Sequence, residues 1–118
     1  MQAAWYERNG AAAQVLNVGD MDMPEPGPNE VRVKIHTSGV NPSDVKSRRG
    51  RPPMFPRIIP HSDGAGVIDA VGKGIDHTRI GERVWLWNAQ WKRAFGTAAE
   101  YCVLPSEQAV HLPKRVDF

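Results

Sequence analysis

Cysteine is almost missing from this chain: Cys102 is the only one. A lone thiol excludes an intramolecular disulfide and any zinc site built from several cysteines, and it fits a reducing, cytoplasmic setting. Long apolar runs are absent too. None approaches the ~18 residues a helix needs to cross a bilayer, so a helical membrane protein is excluded. The start, Met1-Gln2-Ala3-Ala4-Trp5-Tyr6-Glu7-Arg8, lacks the basic head and apolar centre of a secretory signal. Charge of one sign is not in excess either: 15 Lys and Arg stand against 13 Asp and Glu, a net charge of +2. That is too little to argue for a nucleic-acid partner.

What is present describes one domain. The 118 residues are 41% hydrophobic and 24% charged, near the average for globular chains. This balance excludes a disordered chain, a collagen-like chain and a coiled coil. A chain of this length buries roughly two-thirds of its unfolded surface, enough for a core. The 11 glycines and 10 prolines cut it into short extended pieces, which favours a mainly β domain.

Local patterns place the pieces. Gln2 to Tyr6 reads as a strand, with Val15 to Val18 as its partner beyond the Asn9-Gly10 turn signal. Met23 to Pro28 holds three prolines and reads as an extended surface connection. Val31-Arg32-Val33-Lys34-Ile35-His36 alternates apolar and polar residues without error, the pattern of a half-buried strand. In Asn41-Pro42-Ser43-Asp44, Asn41 suits a cap, Pro42 the first helical position and Asp44 the third, predicting a short helix over Ser43 to Arg49. Arg51 to Pro60, with four prolines, reads as a loop. Further strands are expected over Gly66 to Val71, Arg83 to Trp87, Ala98 to Leu104 and Ala109 to Leu112, the last two split by Pro105. Trp85, alternating with Trp87, is expected in the core. Closure into a barrel would protect the sheet edges.

Gly64-Ala65-Gly66-Val67-Ile68-Asp69 superficially suggests a phosphate-binding loop. The dinucleotide fingerprint needs a third glycine where Asp69 stands, and a helix after it. The residues after the glycines are strand-like, so Gly64 and Gly66 read as points of close backbone packing.

The ordered set Ser38-Gly39-Val40-Asn41-Pro42-Ser43-Asp44, Pro60-His61-Ser62-Asp63-Gly64-Ala65-Gly66-Val67-Ile68, Ala70-Val71-Gly72, Ile80-Gly81-Glu82-Arg83-Val84 and Gly96-Thr97-Ala98-Ala99-Glu100-Tyr101 resembles the N-terminal domain of the medium-chain dehydrogenase/reductase superfamily. The nearest branch is the zinc-free quinone oxidoreductases, the zeta-crystallin-like group. The resemblance spans nearly the whole chain. It implies a mainly β, GroES-like, partly open β-barrel with one or two short helices. It also implies that residues 1–118 are a catalytic domain, with a Rossmann domain for NADPH expected downstream and not contained in these residues. These residues alone are then expected to be inactive. The implied full-length protein is a cytoplasmic homodimer that transfers a hydride to a small quinone or enone. Alternatives are a non-enzymatic binding module of the same fold and a piece of an alcohol dehydrogenase-type enzyme.

Matched residue by residue, the positions that hold catalytic zinc in the alcohol dehydrogenases carry Asn41 and Ser62 here. Neither side chain suits zinc, so no metal is expected. His61 lies one residue before the ligand position. A one-residue slip in extended chain reverses a side chain's direction, so His61 is expected to face away or be held by a local hydrogen bond. The resemblance sets Asn41 beside the nicotinamide, where its amide can donate and accept; a plain helix cap fits it equally. Lys46 replaces a tyrosine common in quinone reductases. It either donates to a developing enolate oxygen or lies in solvent. Arg48 matches a basic position suited to an anionic cofactor, or it serves the helix end. Ser62, Asp63, Trp87, Asn88 and Trp91 are the implied substrate pocket, the tryptophans offering flat apolar surface.

Overall fold

The alternation in Val31 to His36 becomes the central strand of the protein. The computed structural model describes residues 1–118. Seven strands form: β1 (Gln2–Trp5), β2 (Asn17–Asp20), β3 (Glu30–Gly39), β4 (Asp63–Val71), β5 (Arg83–Leu86), β6 (Tyr101–Pro105) and β7 (Ala109–His111). Two short helices accompany them, α1 (Ala12–Val15) and α2 (Pro42–Gly50). Strands β6-β3-β4-β5-β7 make one sheet in that order, every pair antiparallel. Strands β1 and β2 form a separate antiparallel pair. The mainly β, GroES-like fold class is as the resemblance implies. The strand ladder itself does not close into a barrel: β6 and β7 end the large sheet.

Alternation decides what is buried. Val31 and Val33 of β3 are fully buried, and with Ile68, Val84, Leu86, Cys102 and Leu104 they build the core. Between them Arg32 turns outward and grips Asp69 with two bonds, Nε to Oδ1 at 2.9 Å and Nη2 to Oδ2 at 3.1 Å. The same guanidinium reaches the Pro24 carbonyl at 3.2 Å, which pins the proline-rich connection to the sheet. Register shifts between Arg32 and Val33 and between Ile35 and Thr37 bend β3. Bulges of this kind re-aim the chain beyond them, here the segment leading into α2. Two glycines do what their spacing suggests. A Cβ on Gly66 would strike the Lys34 carbonyl, and one on Gly64 would lie 2.8 Å from the Thr37 carbonyl. Strands β3 and β4 therefore pack backbone to backbone.

Three expectations are corrected. Val15 ends a helix and is not in a strand, because burial beside Tyr6 and Ile58 draws it inward; the partner strand begins at Asn17. Strand β6 begins at Tyr101, not Ala98. Residues 98–100 instead serve β1, with Ala4 N donating to Ala98 O at 2.9 Å and Glu100 N to Gln2 O at 3.0 Å. Pro105 closes β6, and one 3₁₀ turn, Ser106–Gln108, leads into β7. Trp85 is not core: it is 42% exposed, because Val84 and Leu86 occupy the inward positions of β5 and leave the odd positions outside. No helix is long and apolar enough to cross a membrane.

Cys102 is 1% exposed, and burial pushes its thiol up to about 12. The reactive species is the thiolate. A disulfide reagent at neutral pH should therefore label no thiol in the folded protein and this one after denaturation. Prompt labelling of the native protein at Cys102 would contradict the packing of β3 against β6.

Candidate functional site

Three chain segments meet where β3 ends and β4 begins. The first is the turn from β3 into α2. Asn41 has extended backbone (φ −119°, ψ 157°) and precedes Pro42, which can start a helix without an N–H to satisfy. Asp44 accepts from the Asn41 backbone N–H at 2.8 Å, the back-reaching half of a capping box. Its other oxygen accepts from the His61 N–H at 3.3 Å. One carboxylate thus ties the helix start to the second segment, residues 59–63.

That second segment is held by the third. Gly96 N donates to the Ile59 carbonyl at 2.8 Å, Thr97 N to His61 at 2.8 Å and Ala98 N to Pro60 at 3.1 Å. Gly96 is required there, since a Cβ would run into the carbonyls of residues 59–61. Thr97 is fully buried; its hydroxyl donates to the Asp63 carbonyl at 2.7 Å and meets Ser38 Oγ at 2.9 Å. Ser38 Oγ in turn lies 2.7 Å from His61 Nδ1. His61 is held by this local hydrogen bond, as the slip from the ligand position suggests. It adopts φ +78°, a left-handed conformation that costs a non-glycine residue of order 1–3 kcal/mol.

Asn41 and Asp63 come together: Asn41 Nδ2 donates to Asp63 Oδ2 at 2.6 Å. They are 22 residues apart in sequence and face each other because Gly39 pairs with Asp63 in the β3–β4 ladder. Next to this pair opens a cleft of about 400 Å³. Ser62, Asn88 and Trp91, expected at a substrate pocket, line this cleft. Asn41, Asp63 and Trp87 do not line it, and neither does Lys46, which is exposed on α2. Arg48 stands apart as well. It is 8% exposed, and its Nη1 donates to the Gly10 carbonyl at 2.6 Å, anchoring the N-terminal segment to α2.

Sequence reasoning misses several walls of the cleft: Tyr6, Met54, Phe55 and Ile58, and Ser43, Asp44 and Ser47 of α2. The Tyr6 phenol is raised above its ordinary value, first by burial and then by the Asp44 carboxylate, with Arg48 and Arg51 pulling it back. It is therefore a hydroxyl, a donor as well as an acceptor, at neutral pH. Nowhere do three or more His, Cys, Asp or Glu side chains assemble in a way that could hold a metal ion.

Comparison with known proteins fits this geometry. Residues 27–114 match the family model of the alcohol dehydrogenase GroES-like domain. The chain belongs to this family, within the medium-chain dehydrogenase/reductase superfamily. A quinone oxidoreductase of Pseudomonas aeruginosa is 37% identical over 107 residues, 89% of this chain and 31% of that protein. An alcohol dehydrogenase of a Moraxella species is 40% identical over 81 residues, 64% of this chain and 24% of that protein. The crystal structure of Escherichia coli quinone oxidoreductase complexed with NADPH superposes with a TM-score of 0.87 at 25% identity, over 100% of this chain and 35% of that one. The chain spans between about a quarter and a third of the length of the curated relatives it matches.

The Thr97 hydroxyl yields a direct test of the site's frame. Thr97→Val keeps the shape and leaves Asp63 O and Ser38 Oγ without their partner. The expected loss is about 1–3 kcal/mol of unfolding free energy in urea. Ser38→Ala should add little on top of it, because the two act through one network. Full additivity of the two losses would show that the hydroxyls are independent.

Proposed function

We propose that this chain is the substrate-side domain of a zinc-independent, NADPH-dependent reductase that passes a hydride to a quinone or an activated alkene. The observation that carries this reading is the pairing of Asn41 with Asp63 beside an aromatic, serine-rich cleft. In the zinc enzymes of the superfamily a thiolate and an imidazole are expected at positions 41 and 62. Here an amide and a hydroxyl stand there, and the amide is already committed to a carboxylate. This donor set does not fit zinc, which takes thiolate, imidazole or carboxylate. That argues against the alcohol dehydrogenase alternative, despite the Moraxella relative.

NADPH, when bound, supplies the hydride; the residues of this domain position and exclude. Asn41 sits between the helix start and Asp63, with neighbours Ser43 and Asp44 on the cleft wall. The Asp63 carboxylate fixes the plane and sense of its amide, so a polar group presented there meets a preset partner. Tyr6, Phe55 and Trp91 give flat apolar surface on which a planar acceptor can lie. Ser62 offers a hydroxyl inside the cleft, able to donate to a carbonyl oxygen that gains charge as hydride arrives. Lys46, exposed on the same helix but off the cleft wall, has no part in this scheme.

Two outcomes check the reading. In the full-length protein, Asn41→Asp replaces a donor with a second carboxylate against Asp63. Two carboxylates in contact cannot both ionise easily, so one is raised above the ordinary range. The defect in kcat/KM should be about tenfold or more at neutral pH and should shrink as pH falls and one carboxyl takes up a proton. Melting temperature measured alongside separates folding from catalysis. Unchanged kinetics at unchanged stability would reduce Asn41 to a structural residue. Elemental analysis of the dialysed full-length protein should find far less than one zinc per chain, and one tightly held zinc would overturn the metal-free mechanism.

A further inference from the structure

The cleft carries more positive charge than its own contacts use. Three cations line it, Arg51, Lys92 and Arg93, against one carboxylate, Asp44. The Arg93 guanidinium is committed: it donates to Glu30 Oε2 at 2.7 Å and to the Val103 carbonyl at 3.1 Å. Asp44 is committed as well, both oxygens accepting backbone N–H groups from Asn41 and His61. Arg51 and Lys92 have no carboxylate partner among the ion pairs of the protein.

Both cations line the same cleft as Tyr6, Phe55 and Trp91. Lys92 Nζ lies 4.6 Å from the centre of the Trp91 ring. The loop that carries both residues is held in an uncommon backbone, with Asn88 at φ +48° and Lys92 at φ +56°. Asparagine tolerates the left-handed region, whereas lysine has no intrinsic reason to adopt it. The loop therefore sets Lys92 at the cleft against local preference. Arg51, at the end of α2, is near enough for its charge to act on the Tyr6 hydroxyl. A cleft lined by aromatic side chains and two cations without carboxylate partners is the complement of a planar molecule with a negative substituent.

We propose that this cleft selects flat aromatic ligands that bear an anionic group, with Arg51 and Lys92 recognising the anion. The inference rests on reading the cleft as the substrate pocket of a reductase, and it narrows the substrate from quinones in general to quinones or enones carrying a carboxylate, sulfonate or similar group. The shared chemistry is the anion, which a substrate or the cofactor's phosphates can both supply.

Binding of redox-inert probes tests this apart from turnover. Naphthalene-2-sulfonate and uncharged 2-naphthol are titrated into the full-length protein, following tryptophan quenching. The sulfonate should bind about tenfold or more tightly, and this preference should weaken as salt is raised. The Arg51→Gln/Lys92→Gln double variant should bring the ratio of the two affinities close to one. Both side chains are exposed, so folding is not at stake, and the salt dependence of the wild type gives an independent readout. Equal affinities in the wild type, or a preference that survives the double variant, would overturn the proposal. So would a double variant that weakens NADPH binding and leaves the ratio intact, since the cations would then serve the cofactor. NADPH oxidation with 1,2-naphthoquinone-4-sulfonate is measured separately. No turnover with an intact sulfonate preference would sink the reductase reading alone, and turnover without preference would sink the anion reading alone.

Discussion

The Thr97 side chain, fully buried, joins three parts of the protein that are far apart in sequence. Its backbone pairs with His61, and its hydroxyl touches both Ser38 and the Asp63 carbonyl. Without that junction, residues 59–63 would be an unsupported proline-flanked loop. With it, they are a strap of fixed register, and the directions of Ser62 and Asp63 are set by it. Gly96 serves the same junction by keeping the space for three carbonyl groups clear. The site's geometry is thus a backbone property first. Side chains at positions 41, 62 and 63 can change chemistry while the frame that aims them stays put.

This separation leaves the chemistry of the site free to vary on one backbone frame. The frame delivers two positions to one place through the β3–β4 ladder, where Gly39 faces Asp63. Whether they carry metal ligands or an amide and a hydroxyl is a choice of side chain. In this chain the amide is spoken for by Asp63, and the cleft beside the pair is lined by aromatic rings, serines and cations among other residues. Its character is that of a pocket that shapes and orients. Acid–base work by ionised groups has little footing, because Asp44 is occupied by two backbone N–H groups.

Much of this is legible in the residues. The alternation of Val31 to His36 identifies the central strand because one face is buried and one is not. Asn41-Pro42-Ser43-Asp44 identifies the helix start because capping chemistry is local. Gly64 and Gly66 read correctly as close-packing positions because no helix comes after them. Contacts set by the tertiary fold are not legible. That Asn41 meets Asp63 depends on a ladder register with two shifts in it, which no short window encodes. Arg48 reads as a cation for an anionic cofactor or for the helix end, yet it is buried with its guanidinium on the Gly10 carbonyl. Trp85 reads as core because tryptophan is large and apolar; strand parity overrules size and leaves it outside. Val15 reads as extended, and a small cluster with Tyr6 and Ile58 makes it the end of a helical turn.

Under the proposed function, the burial of Cys102 bears on how the domain survives its substrates. Quinones and enones are electrophiles, and the soft nucleophile they capture most readily is a thiolate. The chain's single sulfhydryl, on β6, is buried in the core with its ionisation suppressed, and none is exposed. A domain so built offers an arylating molecule no surface thiol to alkylate.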